Sequence, residues 1–107
     1  MTFIPAVVET IRSLSAASTL GTYVAVGSAL ANPVSMFCLT NNTNGDMFFT
    51  TDGVNDQFFV AAGSFKLLDL STNNFMALRI GTTFSVRRST VPTTGAVYIE
   101  TVYGKGS

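Results

Sequence analysis

Asp46, Asp52 and Asp56, together with Asn42, Asn44 and Asn55, form the one concentration of hard oxygen ligands in a 107-residue sequence. Carboxylates and amides this close in sequence are the donors a calcium ion takes. Two of the carboxylates could also be read as a glycosidase acid–base pair. The spacing argues against both. The EF-hand pattern is absent, and Asp52-Gly53-Val54-Asn55-Asp56 is turn chemistry, in which Asp and Asn side chains bond their own backbone. One short turn offers no cleft for a sugar ring. We therefore expect turns here, with no metal and no cofactor.

The absent residue types narrow the chemistry further. There is no histidine, so Ser-His and Cys-His nucleophilic systems cannot be assembled from this chain. Imidazole-ligated zinc and iron sites go with them. The single Cys38 excludes an intrachain disulfide and any CxxC motif. Within Met36-Phe37-Cys38-Leu39 it reads as a small buried hydrophobe. No Gly-rich phosphate loop is present, and no catalytic residue is expected.

Charge excludes other partners. Lys and Arg number 6, Asp and Glu number 6, and charged residues are 11% of the chain. Phosphate binding needs a clear cationic excess, so nucleic acid is not expected, nor is an anionic membrane. A chain with zero net charge lacks the self-repulsion that keeps free monomers apart. With 15 Thr and 10 Ser, its polar surface is hydroxyl-rich rather than ionic. Both features suit a protein covered by other protein. No small-molecule substrate is expected.

The aromatic pairs Phe48-Phe49 and Phe58-Phe59 are pointed. Neighbouring strand residues face opposite ways, so one Phe of each pair faces out unless both sheet faces are covered. Phe48 and Phe58 are taken as outward, interface residues, and Phe49 and Phe59 as core. Arg87-Arg88 also splits across a strand, which assigns Arg88 to an interface pair.

These residues need elements to hold them. From Thr22 onward the pattern is β. Short apolar runs alternate with turn clusters at Asn32-Pro33, Asn41 to Asp46, Asp52 to Asp56 and Ser71 to Asn74. Asn44-Gly45 predicts a hairpin. The uncharged stretch from Leu20 to Leu39 holds Gly21, Gly27, Asn32 and Pro33, and reads as two strands and a turn rather than a membrane span. The whole predicts an all-β antiparallel sandwich of about eight strands, jelly-roll-like, over residues 21–107. Its core should include Val24, Val26, Phe37, Leu39, Phe49, Phe59, Phe65, Leu67, Leu78, Ile80, Phe84, Val86, Val97 and Ile99.

Residues 1–20 read as an arm. Val7, Val8, Ile11 and Leu14 lie at helical spacing after Pro5, which predicts a helical turn. Glu9 interrupts the apolar run and no basic segment precedes it, so no signal peptide is expected. Phe3, Ile4, Val7, Val8, Ile11 and Leu14 carry much apolar surface for a solvated tail, and predict a docking element.

Five segments carry a resemblance. They are Leu20-Gly-Thr-Tyr-Val-Ala-Val-Gly27, Leu30-Ala-Asn-Pro-Val34, Asn41 to Asp56 with its Asp-Gly-Val-Asn-Asp turn, Phe58-Phe-Val-Ala-Ala-Gly-Ser-Phe65 and Tyr98-Ile-Glu-Thr-Val-Tyr-Gly104. Across residues 20–104 they resemble small β-sandwich structural proteins of tailed bacteriophages. The resemblance implies a non-enzymatic virion component, assembled in the bacterial host cytoplasm. It would be a many-copy neck or tail protein bound to copies of itself and to other virion proteins. Capsid decoration (a cement protein on the head) is the alternative it leaves open. From the residues alone, Asn/Asp/Thr loops beside aromatics also suit a glycan-binding module.

Overall fold

The computed structural model describes residues 6–70 and 76–104. The fold is all-β, with two antiparallel sheets. Among the described residues nine strands follow in chain order: β1 (Ala6–Val8), β2 (Arg12–Ser15), β3 (Val24–Ala25), β4 (Met36–Thr43), β5 (Met47–Thr50), β6 (Phe58–Val60), β7 (Ser64–Asp69), β8 (Ser85–Arg88) and β9 (Gly95–Gly104). The larger sheet runs β1-β9-β4-β7, with β2 also on β9, and the smaller runs β3-β8-β5-β6. Among the described residues no helix is long and apolar enough to cross a membrane.

The core lies between the sheets. Phe37, Leu39, Val97 and Ile99 enter it from the larger sheet, and Met47, Phe49, Val60 and Val86 from the smaller. Val26, Leu30, Val34 and Phe84 close it from the connections. Phe37 meets Phe58 edge-on at 5.9 Å and Phe84 at 5.3 Å between ring centroids, aromatic spacings that add to area burial.

Eight of the fourteen expected core residues are buried: Val26, Phe37, Leu39, Phe49, Phe84, Val86, Val97 and Ile99. Val24 and Leu78 are half-buried. Phe59, Phe65, Leu67 and Ile80 are exposed and correct the expectation. In β7 both alternating rows are apolar, so composition does not say which row turns in. Pairing decides it: Leu68 lies opposite the buried Phe37, and Leu67 opposite Cys38 on the other face. Ile80 sits in a turn rather than a strand.

The Asn44-Gly45 hairpin is also corrected. β4 and β5 belong to different sheets, and the turn between them crosses the core. Buried Asn41 secures that crossing. Its amide nitrogen donates to the carbonyls of Gly45 and Val60, and its oxygen accepts from the Thr43 amide and hydroxyl. Asn44 ties the turn to a different segment, accepting from the Thr93 and Thr94 amides. Asn-Gly chemistry suits any tight reversal, and here the reversal joins sheets.

Residues 6–8 and 12–15 form strands, not a helical turn, and a 3-10 turn comes later at Ala16–Ser18. Val8 pairs with Val102 and Arg12 with Ile99. Four steps along the N-terminal segment thus match three along β9. This extra residue is a bulge, and it reverses the side-chain parity. Val8 therefore faces solvent while Arg12 and Leu14 turn inward. The apolar spacing that suggests a helix is a strand pattern interrupted by this bulge.

Candidate interaction surface

Register places three rows on the outer face of the larger sheet. Phe65, Thr40, Tyr98 and Ser13 form one, and Leu67, Cys38 and Glu100 the next. Asp69, Met36, Val102 and Val8 form the third. Phe65 is 69% exposed, Leu67 57% and Val8 67%, on a side where β-sandwiches usually carry polar residues. A face about four strands wide and eight residues long measures on the order of 500 Å² in projection. That is the scale of one partner's share of a protein–protein contact, and far larger than a small ligand needs. Lys66 sits on the other row of β7, opposite Leu39. A charge at that place on an edge strand discourages strand addition, so the face rather than the edge is the accessible apolar feature.

The outer face of the smaller sheet carries a polar cluster. Phe48 lies between Phe59 and Arg87 in register. The Arg87 guanidinium stands 4.5 Å from the Phe48 ring centroid and 6.0 Å from that of Tyr23. It donates to Asp56 at 2.8 and 2.5 Å. Tyr23 also donates to Asp56. Arg87 and then Tyr23 hold the Asp56 carboxyl down at about 2. Burial first, then Asp56, push the Tyr23 phenol up to about 12. We expect Tyr23 to ionise near pH 12 in ultraviolet titration, and at lower pH in Asp56→Asn, which keeps the ring's burial but removes the carboxylate. An unchanged midpoint would show that Asp56 does not govern it.

The loop carboxylates are occupied by their own loops. Asp52 accepts from the Val54 and Asn55 amides, the Asn55 and Gln57 side-chain amides and the Thr50 hydroxyl. Those donors hold its carboxyl well below the usual carboxylate range. Asp46 accepts from the Ala62 amide. Among the described residues no three His, Cys, Asp or Glu side chains gather as a metal site.

At the bulge, Glu9 and Arg12 form a pair with both side chains under a tenth exposed. Arg12 donates to Glu9 at 3.0 Å, to the Ser28 and Ala29 carbonyls and to the Thr101 hydroxyl, which donates onward to Glu9. Asn32 fills the other Glu9 oxygen. Burial alone would raise the Glu9 pKa, but bonds from Asn32, Arg12 and Thr101 outweigh it and hold the carboxyl below its usual 4.5. A groove of about 510 Å³ opens beside this pair, lined by Val8, Ile11, Gly27, Asn32 and Tyr103 among others.

The sign of the pH effect follows. A depressed folded pKa gives stability that is complete above the unfolded value and lost as pH falls through the folded one. The urea midpoint should therefore drop as pH falls from about 5 to about 3. Glu9→Gln should be less stable at pH 7 and show a shallower drop over that window. An equal drop in both proteins would remove Glu9 from the acid response.

The residues expected to dock fall in different places. Phe3 and Ile4 lie outside the described residues. Val7 is half-buried opposite Tyr103, Val8 and Ile11 are exposed, and Leu14 packs on the core. Phe48 faces out, whereas Phe58 packs inward and Phe59 is its outward neighbour. Phe49 faces Phe58 and Phe48 faces Phe59 across the antiparallel register, which reverses the order expected for the second pair. Arg88 donates from its guanidinium to the Thr19 carbonyl and from its amide to the Leu20 carbonyl. The sequence reading missed Phe65, Leu67, Glu100 and the Glu9–Arg12 pair. The alternation of Phe65 and Leu67 was visible, but not its direction.

No family model matches the chain, and no curated protein matches it. A solved structure described as "Bacillus endospore appendages form a novel family of disulfide-linked pili" does match. It is 13% identical, covers 98% of this chain and 93% of its own, and has a TM-score of 0.47. The match is to pili, not to a phage. It corrects the bacteriophage resemblance, and with it the neck, tail and capsid-decoration roles, the virion location and the other virion proteins as partners. The motifs behind that resemblance are turns, and turns of Asn, Asp and Gly recur wherever short strands reverse. The glycan-binding alternative is withdrawn too: that match is to pili, and Asp52 and Asp56 are spent on their own loop and on Arg87. At this identity and score the likeness carries no functional argument of its own.

Proposed function

We propose that this protein is a structural subunit that works by packing against copies of itself. The observation that carries the reading is the outer face of the larger sheet, where Phe65 and Leu67 stand in solvent beside Cys38, Tyr98 and Val102. Contiguous apolar surface on a sheet face marks a protein contact. Zero net charge and 11% charged residues favour copies of the same chain, because no long-range repulsion opposes them. Sedimentation velocity of the wild-type chain over a range from about 1 µM to about 1 mM tests this. The sedimentation coefficient should rise with concentration. A single monomeric species throughout would defeat the reading.

A further inference from the structure

Glu100 stands in the middle of the apolar face, in register with Cys38, which lies between it and Leu67. Among the described residues the other five acids all have partners, whereas the Glu100 carboxylate has no hydrogen bond or ion pair. A lone carboxylate on an apolar face disfavours covering by an identical face, because two copies stacked face to face would bring like charges together. It favours an apolar surface that carries a cation.

The chain has such a surface. Arg79 lies in a turn whose exposed neighbours are apolar: Met76 is 51% exposed and Ile80 62%. The Arg79 guanidinium has no partner among the described residues, unlike those of Arg12, Arg87 and Arg88. The turn is firmly held. Leu78 exchanges backbone bonds with Val34 at 2.8 and 3.0 Å, and Gly81 donates to the Leu30 carbonyl at 2.9 Å. Among the described residues Lys66 is also exposed without a partner, but it stands on β7 of the same sheet, and its apolar flanks Phe65 and Leu67 belong to the face that is to be covered. Arginine is enriched in protein contacts and lysine depleted, since the planar guanidinium is less strongly hydrated and can bond a carboxylate with two donors.

We propose that the occupant of the apolar face is the Arg79–Ile80 turn of a second copy, with the guanidinium of one copy meeting Glu100 of the next. The contact joins unlike surfaces, so each copy offers one face and one turn and assembly continues past the dimer, into a ring or a filament. This proposal rests on the reading of the chain as a self-associating subunit.

Charge reversal tests it on the full chain by sedimentation velocity, with circular-dichroism melts confirming that each variant is folded. Glu100→Arg and Arg79→Glu should each weaken association by about tenfold or more. The double variant Glu100→Arg/Arg79→Glu should regain association within about threefold of wild type, and so should an equimolar mixture of the two single variants. Unchanged association in both single variants would place the contact elsewhere and overturn the proposal, while leaving self-association standing. Weakening without rescue would show that the two residues do not face each other, and overturns it equally. A wild-type chain that stays monomeric defeats the underlying reading instead.

Discussion

Arg12→Ala should lower the free energy of unfolding by about 3–5 kcal/mol, the cost of leaving one member of a buried ion pair without its partner. Arg12 and Glu9 are 7% and 9% exposed. The substitution leaves the Glu9 carboxylate without its cation, held only by Asn32 and Thr101, and also frees the Ser28 and Ala29 carbonyls, which Arg12 joins to the N-terminal segment. A domain of this size has about 5–15 kcal/mol in total, so the variant should be near the limit of folding. Urea denaturation measures it. The double variant Glu9→Met/Arg12→Met should recover part of the loss, because apolar residues of similar volume need no partner. A loss under about 1 kcal/mol for Arg12→Ala would show that the pair is solvated and not a clamp. The same clamp bears on the N-terminal segment as a docking element: removing residues 2–14 deletes Glu9 and Arg12, and we expect the remaining chain to lose its cooperative unfolding transition.

Gly95→Ala should cost about 3–5 kcal/mol for two separate reasons. The backbone there has φ +93°, which side-chain-bearing residues rarely adopt, and an added Cβ would lie 1.9 Å from the Asn42 carbonyl oxygen. Gly95 opens β9 opposite Thr43, so the clash falls at the start of the longest ladder in the fold. Gly81→Ala separates the two causes. It has φ +90° but nothing within 4 Å of the added carbon, and should cost only about 1–2 kcal/mol. Equal losses in the two variants would mean that strain alone acts and the approach to Asn42 relaxes. Thermal unfolding of both proteins decides this.

The fold class was legible because it depends on local signals that repeat: short apolar runs, and turn clusters every several residues. The parity of those runs was not. β7 reads apolar on both rows, and only its pairing with β4 turns Leu68 inward and Phe65 outward. The bulge between Val8 and Arg12 is equally silent, since no residue type announces it, yet it decides that an arginine points into the molecule. Asn44-Gly45 gave the reversal but not the destination of the chain after it. The aspartates of the 46–56 segment were legible as turn residues, because their chemistry is local. Phe65 and Leu67 were placed in the core for the reason that makes them informative outside it: large apolar side chains are normally buried.

Phe65→Ser/Leu67→Ser tests the central claim most directly. Both side chains are mostly exposed in the single chain, so their replacement should leave thermal stability nearly unchanged. Sedimentation velocity at a concentration where the wild type is associated should then show the variant as a monomer. A variant that associates as strongly as wild type would contradict assembly through the outer face of the larger sheet.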